Sequence, residues 1–245
     1  MFRYIFILSA LVSSSLHAAE VRVAVAANFQ NTLKALSKIF EQQNSHRILI
    51  TSGSTGKLYA QIQQGAPFDI LLAADEKRPR LLEEQGLAVA ASRFTYASGK
   101  LVLWSITMKL EGGERVLREK KFDHLALANP KTAPYGKAAV QAMQKLNVWS
   151  GLQPKVVMGE NVGQVFQFIA TLNADLGFVA LAQILDPNNK QQGSYWEVPT
   201  RLYQPIKQDA VLLSRSTNMA AARKFLSFLQ SPNARDFIRR AGYGL

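Results

Sequence analysis

The sequence predicts an α/β protein of two lobes with a cleft between them, and three observations carry that expectation. Short apolar runs alternate with helix-period segments, the order that builds a mostly parallel sheet flanked by helices. Two long extended segments, Arg93 to Ser105 and Tyr203 to Leu213, interrupt the alternation and are placed to cross from one lobe to the other and back. The length of 245 residues suits one large domain or two small ones, each able to bury a core.

The chain opens with an address rather than a fold element. Residues 1 to 19 hold Arg3, an apolar run from Ile5 to Val12, three serines and then Ala18 and Ala19, the order of a secretory signal peptide. The apolar run is far short of the roughly 20 residues that span a bilayer. The mature chain is expected to begin near Ala19 or Glu20.

The first lobe then unfolds in order. Glu20 to Ala27 reads as a buried strand ending at Asn28, and Phe29, Leu33, Leu36 and Phe40 recur at the spacing of a helix packed on a sheet. Arg47 to Thr51 is a second strand, Ser52 to Gly56 a tight turn, and Lys57 to Gln64 a helix closed by Gly65. Phe68 to Ala73 is a third strand, and Pro79 to Gln85 a short helix ending at Gly86.

Beyond the first crossing, which has Gly99 at its middle, Leu125 to Ala128, Lys155 to Met158 and Leu176 to Val179 read as strands. Helices fit at Lys137 to Leu146 and Val162 to Leu172. After the return crossing, helical patterns run from Met219 to Leu229 and from Pro232 to Ala241, with Ser231 as stop and cap between them. The mixed charges of Arg118 to Lys121 suit a solvated helix face.

Composition narrows the chemistry. Apolar residues at 48%, charged residues at 19% and a mean hydropathy of −0.03 exclude a disordered chain and a multispanning membrane protein. The absence of cysteine removes disulfides, thiolate nucleophiles and Cys-ligated metal sites. The net charge of +12 points to an anionic partner of some kind. Nucleic acid is set aside for an exported chain.

Four strand-to-helix turns carry small or neutral polar residues: Ala27 and Asn28; Ser54 and Thr55; Ala133, Pro134 and Tyr135; Asn161 and Val162. In an open α/β sheet such turns lie at the carboxyl ends of the strands, where ligands bind. Each presents unpaired N–H groups backed by a helix dipole, and several aimed at one point hold an anion without Lys or Arg. Taken singly, Asn28, Ser54, Thr55 and Asn161 read first as N-caps; capping and ligand binding are compatible.

Other motifs fall away. Gly53 to Lys57 lacks the four residues between glycines and the Ser or Thr after Lys that a P-loop needs, so Lys57 reads as a surface residue. No G-x-S-x-G elbow occurs, and His46 and His124 sit beside strand starts without a triad pattern. Phe166, Phe168, Trp104 and Trp149 suit core packing at least as well as a sugar platform.

The opening VAVAANF, SGSTG followed by KLYAQI, GAPFDILLAADE, FTYASGKLVLW, NPKTAPYG, GENVGQ, ADLGFVALAQI and the terminal AGYG cover the mature chain. Together they resemble the periplasmic molybdate-binding proteins of ABC transporters, within the type II solute-binding proteins. GAP-x-D-x-x-x-x-A-D, from Gly65 to Asp75, is a fairly specific marker of this family. Asp69 and Asp75 within it are expected to be structural, since a carboxylate repels an anion.

The resemblance implies the two-lobed type II fold, with lobe 1 formed by 20–97 and 206–245 and lobe 2 by 98–205. It implies molybdate or tungstate held by neutral donors: Ala27 and Asn28, Ser54 and Thr55, and the backbone N–H groups of Tyr135 and Val162. It further implies a periplasmic protein, monomeric, without cofactor or catalysis, serving an inner-membrane ABC permease and its ATPase. Two positions depart from the family: Asn28 stands where many members have Ser, and Ala180 where some have a ligand-binding Tyr. The competing expectations are the same fold binding sulfate or thiosulfate, a secreted hydrolase using Ser54 or Thr55, and a basic module on anionic lipid or polymer.

Overall fold

The computed structural model describes residues 18–245; the expected signal segment lies outside them except for its last two positions. β1 (Glu20–Ala26) leads through a 3-10 turn at Ala27–Phe29 into α1 (Gln30–Gln43). Phe29, Leu33, Leu36 and Phe40 are buried against the sheet, as their spacing requires. β2 (Arg47–Gly53), α2 (Thr55–Gln63), β3 (Ile70–Leu72) and α3 (Lys77–Glu84) complete the first run.

β4 (Phe94–Gly99) and β5 (Leu101–Ser105) follow, then α4 (Gly113–Glu119), β6 (Leu125–Ala128), α5 (Pro134–Lys145), α6 (Trp149–Leu152), β7 (Val156–Gly159) and α7 (Val162–Ala170). β8 (Leu176–Ala180), α8 (Leu181–Ile184), β9 (Ser194–Glu197), β10 (Ile206–Leu212), α9 (Met219–Leu229) and α10 (Pro232–Arg240) end the chain.

Two five-stranded sheets result, ordered β2-β1-β3-β10-β4 and β7-β6-β8-β5-β9. Each has three parallel strands, then one reversed strand, β10 or β5, and an edge strand paired to it. The reversed strand in each sheet is the one that follows a crossing. The segment Arg93 to Ser105 is therefore two strands in different sheets, with Lys100 alone between them. The return runs between Glu197 and Ile206. The central strands are apolar on both faces because helices cover both sides.

The differences from the sequence reading have local causes. α4 (GERVLRE) offers little apolar period and starts after Gly112 in the left-handed region, φ 71°. β9 (SYWE) is an edge strand with exposed alternate positions. α2 and α5 begin earlier than their apolar periods suggest, at Thr55 and at Pro134, a favoured first helical residue. That shift places Thr55 and Tyr135 inside the first helical turns, as Val162 is at its expected place at the start of α7.

Aromatic residues pack the cores. Trp104 stacks on Phe166 with centroids 4.8 Å apart, and Phe29 meets Tyr96 and Tyr243 edge-on. Phe168 and Trp149 pack against the second core. No helix among the described residues is long and apolar enough to cross a membrane.

Candidate functional site

The carboxyl ends of β1, β2, β6 and β7 turn toward one another across the gap between the sheets. Ala27, Asn28, Ser54, Thr55, Tyr135 and Val162 all line the same small cavity there, with Asn161, Ala74, Ala133 and Pro134 among their neighbours. The cavity is tight in this structure, about 10 Å³, the space of a single water. None of the residues lining it is charged.

The capping alternative separates these residues. Asn161 is an N-cap: its side-chain oxygen accepts from the N–H groups of Gly163 at 2.9 Å and Gln164 at 3.1 Å. Ser54 occupies the N-cap position of α2 but makes no capping bond, and its buried Oγ has no partner among the described residues. The Thr55 hydroxyl accepts the Ala74 N–H at 3.0 Å, which leaves its own proton to donate.

The backbone supplies further donors. The first N–H groups of a helix have no intrahelical acceptor, and those of Thr55, Tyr135 and Val162 find none elsewhere among the described residues. The Gly56 N–H is already used, donating to Thr132 O at 2.9 Å across the gap. A Cβ at Gly56 would lie 2.9 Å from the Thr132 Cα, so the close approach of the two lobes here needs glycine.

Asn28 is arranged differently from the sequence expectation of a side chain donating into the cleft. Its Nδ2 donates to Gln208 Oε1 at 2.6 Å and, more weakly, to the Tyr243 hydroxyl at 3.4 Å, while Tyr243 donates to Asn28 O at 2.8 Å. Sequence reasoning missed Gln208 and Tyr243. Gln208 is a fully buried amide within a strand, and the pattern of β10 alone does not show which face it takes.

Beneath the cavity lies a group of buried phenols. Burial, and then the neighbouring tyrosines, push the Tyr135 hydroxyl well above its usual range. Burial does the same first for Tyr96 and Tyr243. These rings stay neutral, so no negative charge opposes an anion. The Tyr135 hydroxyl lies against Gly99, where a Cβ would come within 2.1 Å of it.

Residues set aside in the sequence prove to have structural partners. Asp69 accepts from the Arg22 N–H at 2.7 Å and the Ser216 hydroxyl at 2.6 Å, and Asp75 pairs with Arg78. His46 accepts the Ala19 N–H through Nδ1, and the His124 N–H donates to Asp175. Neither histidine lines the cavity, so Ser54 has no base beside it. Lys57, expected to be a plain surface residue, pairs with Glu160 of the opposite lobe at 2.8 Å. Asn31 Nδ2 makes a second link, to Asp186 Oδ2 at 2.6 Å.

Comparison with known proteins matches residues 21–244 to the family of bacterial extracellular solute-binding proteins. The chain is 47% identical to molybdate-binding protein ModA of Azotobacter vinelandii, covering 96% of this chain and 94% of that one. It is 46% identical to molybdate-binding protein ModA of Rhodobacter capsulatus, covering 92% and 88%. Its structure is similar to that of the Azotobacter vinelandii periplasmic molybdate-binding protein, with a TM-score of 0.88 at 43% identity over 92% of this chain and 99% of that one.

Proposed function

The chain belongs to the bacterial extracellular solute-binding protein family, and on that premise we propose that it captures molybdate between its lobes and delivers it to an ABC importer. The observation that carries this reading is the donor set: hydroxyls and N–H groups from four turns of both lobes meet around one uncharged cavity. Two relatives that match nearly the whole chain are molybdate-binding proteins.

In this reading Ser54 and Thr55 donate through their hydroxyls, Tyr135 and Val162 through their N–H groups, and Ala27 with Asn28 closes the first turn over the anion. Asn28 presents its amide once its pairing with Gln208 is reversed. Lobe 1 is 20–97 with 206–245 and lobe 2 is 98–205, a division supported by the crossings beside Lys100 and after Glu197. The anion prefers the closed form because it touches both lobes.

Selectivity follows from the donors. A site whose hydroxyls and N–H groups are turned to donate disfavours hydrogen phosphate, whose O–H can be accepted only by turning a hydroxyl away from the anion. Molybdate and tungstate are nearly the same size, so the site takes both; sulfate is smaller and leaves donors unmatched. Residues 1–19 direct the chain to the periplasm, where it works as a monomer and presents its closed form to an inner-membrane permease and its ATPase. The role needs no catalysis.

A thermal-shift series with molybdate, tungstate, sulfate and phosphate at matched ionic strength tests the reading. Ligand at about 100 times its dissociation constant adds about 2.7 kcal/mol, or roughly 5 to 10 °C for a protein of this size. A rise of that order for molybdate and tungstate alone is expected. Equal shifts for all four anions, or none, overturn it.

A further inference from the structure

The anion cavity is flanked by two larger openings, and their charges differ. One, of about 520 Å³, shares Ala74, Ala133 and Pro134 with the anion cavity and carries seven Lys and Arg side chains against two carboxylates. The other, of about 620 Å³, shares Ala27, Asn28 and Asn161 with it. That opening has two lysines, Lys34 and Lys190, against Asp186, and is otherwise rich in Asn and Gln. Between the two openings, the Gly56–Thr132 hydrogen bond and the Lys57–Glu160 pair join the lobes.

Four of the seven cations in the basic opening are already engaged. Arg93 is held by Asp209 at 2.7 Å and Glu83 at 2.9 Å, Arg78 by Asp75, Lys207 by Glu76 at 3.6 Å and Arg80 by Glu84 at 3.6 Å. Among the described residues, Lys77, Lys131 and Lys137 have no carboxylate within 4.0 Å.

These three continue directly from the segments that build the anion site. Lys77 opens α3, just after Ala74, whose N–H holds the Thr55 hydroxyl. Lys137 lies in α5 two residues beyond Tyr135, and Lys131 precedes the same helix. Two lobes thus place free ammonium groups on one side of a site that itself contains no charge. Such a wall concentrates small anions and speeds their arrival while adding nothing to the contacts that hold them.

We propose that the basic opening is the port through which the small inorganic dianion reaches the site, with Lys77, Lys131 and Lys137 as its capture residues. The proposal rests on the molybdate-binding reading. It assigns these lysines to the rate of association, and the neutral donors of the cavity to the rate of dissociation.

Stopped-flow protein fluorescence with molybdate tests it, on the wild type, on Lys77→Gln/Lys131→Gln/Lys137→Gln, and on Lys34→Gln/Lys190→Gln at the other opening. Ionic strengths of about 0.01 M and about 0.15 M bracket Debye lengths of about 30 and 8 Å. The triple variant is expected to associate about tenfold more slowly at the lower ionic strength and to converge on the wild type at the higher. Its dissociation rate stays within about twofold of wild type, and the double variant keeps both rates. A triple variant with the wild-type association rate overturns the proposal. So does one whose loss lies in dissociation, or a double variant that slows equally. A wild type that takes up no molybdate overturns the functional reading as well, and is distinguished by failing before any variant is compared.

Discussion

Asn28 Nδ2 donates to Gln208 Oε1 across 2.6 Å, joining residues 180 positions apart in a buried pair. Gln208 lies on β10, opposite Ala97 of β4, so the turn after β1 is anchored on the two strands beside the lobe crossings. Gln208 Nε2 has no partner among the described residues. Turning both amides by half a rotation gives Nε2 an acceptor in Asn28 Oδ1 and frees the Asn28 amide for an anion.

Gln208→Leu removes that anchor and leaves a buried amide unpaired, a cost of about 1–3 kcal/mol. The melting temperature is expected to fall by roughly 3 to 9 °C, and molybdate affinity by about tenfold, read by calorimetric titration. An affinity that stays at the wild-type level would mean that Asn28 acts through its backbone alone.

Ser54 and Thr55 are expected to separate stability from binding. The Ser54 hydroxyl bonds to nothing among the described residues, so Ser54→Ala should leave the melting temperature of the free protein within about 1 °C while molybdate affinity falls roughly 10- to 100-fold, the value of a hydrogen bond to a charged group. Thr55→Ala should lower both, because it also strips the buried Ala74 N–H of its acceptor. Thr55→Ser should recover most of each.

Lobe closure depends on backbone more than on surface charge. Gly56→Val drives a side chain into Thr132, and should hold the lobes apart and weaken molybdate binding more than tenfold, with a larger radius of gyration by X-ray scattering in saturating anion. The Lys57–Glu160 pair has both side chains about half exposed. Lys57→Gln should therefore change affinity by no more than about fivefold, and less in high salt.

The buried phenols set an alkaline limit. Tyr96, Tyr135, Tyr203 and Tyr243 are raised by burial in the folded protein, whereas in the unfolded chain a tyrosine ionises near pH 10. Above that value the unfolded state loses protons that the native state keeps, so stability falls as pH rises. Melting temperatures should show no tyrosine-dependent loss between pH 7 and about 9, and decline above about 10. Absorbance near 295 nm should show the Tyr96, Tyr135 and Tyr243 hydroxyls ionising only as the fold is lost.

The legibility of the sequence followed the range of the interactions. β6 and α9 carry continuous or strictly periodic apolar patterns and match their expected limits. That Ala27, Asn28, Ser54, Thr55, Tyr135 and Val162 would come together was readable because they stand at the ends of strands, which topology gathers at one cavity. Gln208, Tyr243 and the Lys57–Glu160 pair were not, since each acquires its role from a partner more than 100 residues away. The amide of Asn28 was assigned to the cleft because its buried partner on β10 lies beyond local pattern. β9 was missed, and α4 was read only at its end, as the solvated helix face of Arg118 to Lys121, because neither presents a strong apolar period to read.

A crystal structure of the mature protein grown with molybdate, with the metal located by its anomalous signal, will show which groups hold the anion. One molybdenum is expected between the lobes, its oxygens within hydrogen-bond distance of the Ser54 and Thr55 hydroxyls and the Tyr135 and Val162 N–H groups, with no Lys or Arg in contact. Molybdenum found only among Lys77, Lys131 and Lys137, with the neutral cavity empty of it, would overturn the assignment of the site.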